Sequence, residues 1–348
     1  MRVPIDDAAT VGDPSGLLDA YLEGGPRLRA GYGAGRAAGP RRMPDARSVA
    51  FCAMGGSAAA GDAIAAALER RATMPMVTVR DYVLPAFCDE RSVVVCLSYS
   101  GNTEETLSAF EEAVARRCSV VAVCSGGALA ERAAEAGVPT VELPGDLPHP
   151  RAALGSLVGG ALGALAAAGV LPPVDGEVAD AAGALEEVAV AVGGAGDEAA
   201  AVAGWVGDRV PVVWSSGAVG AAAAWRWKAA FNENAKVPAF ASVLPELDHH
   251  EIVGWSAGAG RGFAVVILRH AGEHPTVPAR LRATIDAVRA SGLEHREVRA
   301  VGRSGLAQVL SLMLLGDAAS VRHAVARGVD PGPIDAIADV KRRIAGGA

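Results

Sequence analysis

The chain has 348 residues, enough for two domains, and is 51% hydrophobic with only 4% aromatic residues. Alanine and glycine therefore carry the apolar content, as in an α/β protein with small-residue helices. A net charge of −7 excludes a general nucleic-acid binder, and five cysteines without a CxxC argue against a disulfide framework and for a reducing cytoplasm.

The opening MRVPIDDAAT shows no basic-then-apolar leader pattern. Short apolar runs then alternate with helical periodicity. Strands are expected at 48–54, 76–80, 92–100, 119–127 and 139–143, with a helix over 102–117. Buried strands separated by helices imply a parallel sheet covered on both faces. Leu154 to Val174 carries no charge over 21 residues, the length of a membrane span. Its glycines and alanines make it only weakly apolar. Gly155, Gly159 and Gly163 fall every four residues, so close packing on another helix is the preferred reading, with a subunit interface as one place for it. One helix is expected over 178–192 and a loop at 193–196. The strand pattern then restarts at 210–217, 237–242, 262–268 and 295–302, with helices at 218–230 and 284–290. The fold class is α/β, with two doubly wound halves, each a mostly parallel sheet flanked by helices. The boundaries are placed at 1–165, a helical connection at 166–208, and 209–348.

Ligands of such sheets bind beyond the carboxyl ends of the strands. Two ends are chemically loaded. MGGSAAAGD (54–62) offers Gly56 and Ser57 at a helix start, where free backbone N–H groups favour an anion. SYSGNTEET (98–106) surrounds a tight turn with Ser98, Ser100 and Thr103. Taken singly, each is also an ordinary helix cap. Together, at the ends of two strands of one sheet, they form a neutral phosphate cradle. Asp81 stands where a ribose-binding acid would, but GGSAAAG is not GxGxxG, so a dinucleotide cofactor is disfavoured.

The stretch NENAKVPAFASVLPELDHHEIVGW (232–255) concentrates polar chemistry in an otherwise apolar chain. It reads as a loop threading an active site. With the two cradle segments, VRDYVLP, PRAALG and GVDPGPIDAIADVK, it resembles the bifunctional phosphoglucose/phosphomannose isomerase family of the sugar isomerase (SIS) domain superfamily. The blocks occur in the same order over most of the chain. The resemblance implies two SIS-type domains in a homodimer with active sites at the interface, acting on a hexose 6-phosphate with no cofactor, metal, nucleic acid or membrane. It implies phosphate binding on Gly56, Ser57, Ser98, Ser100 and Thr103. It makes Glu233 the base, His249 the ring-opening residue reaching in from the partner, and Arg151 the cation beside the reacting carbons, with Lys341 approaching the sugar. Departures from the family pattern are Ala58, Ser156, Asp248, His250 and the helix segment 319–328.

These residue types suit aldose–ketose isomerisation. One carboxylate can take a proton from one carbon and return it to the next through a cis-enediol. A fixed cation stabilises the charge that develops on the sugar oxygen. A histidine, which Glu246 or Glu251 could orient, can protonate the ring oxygen. The alternative is a non-catalytic sugar-phosphate sensor, for which Ala58 and the segment near Arg322 speak. An amidotransferase would want a glutaminase domain with an N-terminal cysteine.

Overall fold

The computed structural model describes residues 13–258 and 260–346; the opening segment Met1–Thr10 lies outside them. The elements in chain order begin with α1 (Leu17–Leu22), α2 (Gly24–Ala37), β1 (Ser48–Cys52), α3 (Gly55–Leu68), β2 (Met76–Val79), β3 (Ser92–Leu97), α4 (Glu104–Ala115), β4 (Ser119–Cys124), α5 (Gly127–Glu135) and β5 (Thr140–Glu142). Next come α6 (Leu154–Ala167), α7 (Asp175–Ala191), α8 (Glu198–Val206), β6 (Val210–Ser216), α9 (Gly217–Glu233), β7 (Phe240–Leu244) and α10 (Glu251–Ser256). The chain ends with β8 (Phe263–Arg269), α11 (Val277–Val288), β9 (Glu294–Arg299), α12 (Gly305–Ala326) and α13 (Asp335–Gly346).

Two parallel sheets result. The first has the order β2-β1-β3-β4-β5 and the second β7-β6-β8-β9. The first order reverses between β1 and β3, and that switch point is where a doubly wound sheet opens a crevice. The three central strands β1, β3 and β4 are buried along their whole length, which is why they read as unbroken apolar runs. Cys52, Cys96 and Cys124 fill one face of that sheet as free thiols.

α12 packs against α3, α7, α8 and α9 and joins both sheets through one core. Its length and composition would allow a membrane span, yet 83% of that stretch is buried inside the protein. α6 packs on α2, so the expected close helix packing is made within the chain. The approach is reciprocal. Cβ atoms at Gly155, Gly159 and Gly163 would meet the carbonyl oxygens of Gly24, Leu28 and Tyr32 at 2.4, 2.2 and 2.3 Å. Gly31 and Gly35 of α2 face the Ser156 and Gly160 carbonyls in the same way. Only hydrogen fits at these contacts.

Most boundaries shift by a few residues from the sequence reading, and three of the shifts have a clear physical reason or consequence. α9 runs three residues past 230, so Glu233 ends a helix instead of standing in a loop. β7 starts at Phe240, because Lys236 adopts a left-handed backbone (φ 57°) and Pro238 has no N–H to give a ladder. α11 begins at Val277, seven residues ahead of the expected start, with a proline in its first turn.

Candidate active site

β1 delivers the chain to Gly55, whose φ of 51° turns it into α3. Gly56 and Ser57 thereby occupy the first helical turn, where the helix dipole is positive; the Ser57 N–H already donates to the Met54 carbonyl at 3.1 Å, which leaves its hydroxyl and the Gly56 N–H for a ligand. β3 lies beside β1 and delivers Ser98 to Thr103 to the neighbouring position. Ser98 Oγ and Thr103 Oγ1 are 2.9 Å apart. Thr103 sits at the N-cap of α4 but makes no capping bond, so its hydroxyl serves Ser98 and not the helix. The turn between them is held tightly. Gly101 has φ 68°, and a Cβ there would lie 1.8 Å from the Gly126 carbonyl oxygen. Asn102 Nδ2 donates to the Ser100 carbonyl at 3.0 Å and its Oδ1 accepts from Ala128 N at 3.1 Å.

Glu233 is half-buried at the end of α9 and faces a cleft of about 850 Å³ between α3 and α9, whose lining includes Gly55, Asp62, Trp225 and Arg226. Its carboxylate has no hydrogen-bond partner among the described residues. A glutamate that merely closed its helix would bond to loop N–H groups.

Arg151 lies in a 3-10 turn (Pro150–Ala152) and is buried. It pairs with no surface acid. Its Nε donates to Asn234 Oδ1 at 2.8 Å, and its Nη2 donates to the carbonyls of Pro331 and Gly332 at 2.7 and 2.8 Å. Asn234, fully buried beside Glu233 in sequence, is itself fixed by Tyr21 Oη and Ser320 Oγ at 3.2 and 2.9 Å. Lys236 Nζ donates to the Glu233 and Pro331 carbonyls at 2.5 and 3.0 Å, tying the end of α9 to the same loop. A second arginine, Arg226, forms a bidentate pair with Asp317 at 2.8 and 3.0 Å. Burial lifts the Asp317 carboxyl to about 6 although Arg226 pulls it down, and burial pushes the Tyr21 phenol up strongly. Sequence reasoning missed Tyr21, Arg226 and Asp317. Two signals were present: Arg226 precedes Glu233 by seven residues and so shares its helix face, and Asp317 is the sole charge in the apolar run 305–321.

Of the expected site residues only Glu233 lines this cleft; Gly56, Ser57, Ser98, Ser100, Thr103 and Arg151 lie outside its lining, and His249 and Lys341 stand apart from it. His249 is exposed at the end of a 3-10 turn (Glu246–His249), and Lys341 is exposed on α13. Neither acid offered as an orienting partner serves His249. Glu246 lies 3.6 Å from His250, and Glu251 accepts from Ser242 Oγ and from Trp255 Nε1. Asp248 accepts from Arg280 and Thr284 at 2.9 Å each. Ala58 is fully buried, and Arg322 pairs with Asp197 at 3.1 Å, so neither of these positions lines the cleft.

Residues 43–141 match the SIS domain, and residues 195–344 match the bacterial phospho-glucose isomerase C-terminal SIS domain. The bifunctional phosphoglucose/phosphomannose isomerase of Aquifex aeolicus is 36% identical over 301 residues, 86% of this chain and 90% of that one. The protein of the same name from Caldicellulosiruptor bescii is 32% identical over 87% of this chain and 91% of its own. Among solved structures, tagatose-6-phosphate ketose/aldose isomerase from Escherichia coli superposes with a TM-score of 0.67 at 16% identity, covering 94% of this chain and 97% of that one. That likeness shows a shared fold. With the identities above extending over most of both chains, the chain belongs to the bifunctional phosphoglucose/phosphomannose isomerase family.

Proposed function

We propose that this protein interconverts glucose 6-phosphate and mannose 6-phosphate with fructose 6-phosphate through a cis-enediol, without a metal. The observation that carries the reading is Glu233, whose unpaired carboxylate faces the cleft that Gly55 also lines. The phosphate sits on Gly56, Ser57, Ser98, Ser100 and Thr103. Glu233 takes the proton from C1 or C2 and returns it to the neighbouring carbon. Arg151, oriented by Asn234 and the Pro331 and Gly332 carbonyls, stabilises the negative charge of the enediolate. The enediol carbon is planar. A proton returned to either face of C2 gives the glucose or the mannose epimer, so one base serves both.

The working unit is a homodimer in the cytoplasm, with His249 of one subunit opening the sugar ring in the other and Lys341 approaching the same sugar. Three features support this. His249 is exposed and has no partner among the described residues of its own chain. The exposed face of α13 carries Ile337, Val340 and Ile344, and Val253 of α10 is also exposed, which suits burial against a second copy. The five cysteines are free, as a reducing compartment keeps them. Ala58 is packed in the core and Arg322 is paired with Asp197, so both departures have a structural account that needs no sensor role.

The test is incubation of the purified protein with fructose 6-phosphate, with Glu233→Gln alongside. Both aldose phosphates form with the wild type. The variant binds fructose 6-phosphate but loses about 10²–10⁴-fold in kcat, the range for one general base. Wild-type turnover in the variant removes Glu233 from the mechanism.

A further inference from the structure

The phosphate cradle read above is neutral, built from hydroxyls and backbone N–H groups. A phosphate dianion in a cleft between helices calls for a cation, and the structure holds one beside it. Arg226 is only 4% exposed. Two of its three nitrogens are committed: Nε and Nη2 hold Asp317, and Nη2 also donates to the Arg151 carbonyl at 2.8 Å. Nη1 has no hydrogen-bond partner among the described residues. It is also absent from the sealed polar atoms that lack one, so it opens on the cleft that Arg226 lines. It lies 3.1 Å from where a Cβ would stand on Gly56. The same Cβ would stand 3.2 and 3.3 Å from Arg151 Cα and Cβ, so the first turn of α3 packs directly against both arginines and brings Nη1 to the edge of that turn.

The two N–H groups of Nη1, unused within the protein, can be completed by an anion seated beside them. The bidentate Asp317 pair prevents the guanidinium from swinging away, so Nη1 is preorganised at no further entropy loss when an anion arrives. We propose that Arg226 is a further substrate-contacting residue, whose Nη1 donates to the phosphate of the sugar phosphate seated on the Gly56–Ser57 turn. Asp317 is then a positioning residue acting through Arg226. This assignment rests on the sugar-phosphate reading of the same site and adds a second buried positive charge beside Arg151.

Arg226→Met alone strands the Asp317 carboxylate in the core, so the test removes both charges in Arg226→Met/Asp317→Leu, a type of exchange that buried pairs often tolerate. Full-length wild type and double variant are titrated calorimetrically with inorganic phosphate and with fructose 6-phosphate at fixed ionic strength, and melted to verify the fold. The expected result is at least about a tenfold loss of affinity for both ligands, the smaller end of what a charge-assisted hydrogen bond contributes. A folded double variant that binds inorganic phosphate as tightly as the wild type overturns the proposal and makes Arg226 purely structural. Should the double variant melt below the assay temperature, Gly56→Ala carries the same test. A methyl group there presses on Nη1 at 3.1 Å and on Arg151 Cα at 3.2 Å and shifts the guanidinium from the turn, so an unchanged phosphate affinity in a folded Gly56→Ala protein is equally fatal. Failure of the isomerase reading looks different: the wild type binds both ligands, the double variant loses them, and no aldose phosphate forms.

Discussion

The contact between α2 and α6 offers a sharp test of the packing, because one glycine-to-alanine change on it and one on the opposite face of α2 should move stability in opposite directions. Gly33 lies on the exposed face of α2, and nothing stands within 4 Å of the place a methyl group would take, so Gly33→Ala gains helix propensity alone. That gain is up to about 1 kcal/mol. Gly159→Ala has the same gain, but its Cβ would lie 2.2 Å from the Leu28 carbonyl oxygen and 2.7 Å from Tyr32 N. Both are backbone atoms of a neighbouring helix, so relief requires the helices to separate by roughly an ångström along their glycine stripe. Overpacking of this kind costs about 1–3 kcal/mol, and lost contacts along the separated stripe add to it. A net loss of about 2 kcal/mol is therefore expected. For a chain of 348 residues unfolding as one unit, an unfolding entropy of about 2.1 cal/mol/K per residue turns this into a fall in Tm of roughly 3 °C, against a rise of roughly 1 °C for Gly33→Ala. Differential scanning calorimetry of the three proteins resolves the two signs. Arg151 immediately precedes α6, so kcat/KM should fall in Gly159→Ala and not in Gly33→Ala. A Gly159→Ala protein that melts above the wild type refutes the close helix approach and the argument built on it.

Three further outcomes are expected. Gly101→Ala places a methyl group 1.8 Å from the Gly126 carbonyl oxygen at a left-handed φ, so the Ser98–Thr103 turn must move; affinity for inorganic phosphate, measured by calorimetry, should fall while the far-ultraviolet circular dichroism is retained. Asp317→Leu leaves Arg226 charged and unpaired in the core and should destabilise the protein by about 3–5 kcal/mol in urea unfolding, a loss that Arg226→Met in the same chain relieves. His323 is held below the ordinary imidazole pKa of 6.5, chiefly by burial. The unfolded chain therefore takes up a proton that the folded one refuses, and the associated stability, complete above about pH 6.5, is lost as the pH falls from there toward the folded pKa. Unfolding of His323→Phe should show a shallower loss over that window; the slope does not vanish, because His149 is depressed by burial too.

Much of this architecture was legible because its strands are simple. β1, β3 and β4 are continuous apolar runs that stop at glycine or serine, and the cradle residues follow directly at the strand ends. α2 was not legible. Its five glycines argue against a helix on propensity, and they are tolerated because α6 needs several of them for its approach. The start of β7 was misplaced because nothing local announces a left-handed lysine at 236. α12 defeated periodicity in another way. It is buried on all sides, so Gln308, Ser311 and Asp317 break no amphipathic pattern and find their partners inside the protein. Arg226 illustrates the general limit. One arginine in a helix reads as a surface residue, and the aspartate that buries it lies 91 positions away.

The hydrogen bonds that fix Arg151 also set an order of events during synthesis. Its partners lie 83 and 180 positions downstream, at Asn234 and Pro331, and Asn234 in turn reaches 213 positions back to Tyr21. The first sheet is complete in sequence by Glu142 and can pair as soon as that segment leaves the ribosome. The guanidinium has no fixed direction until the loop at Pro331 and Gly332 has been made. A chain stopped before that loop therefore carries a formed first sheet with Arg151 still unaligned beside it.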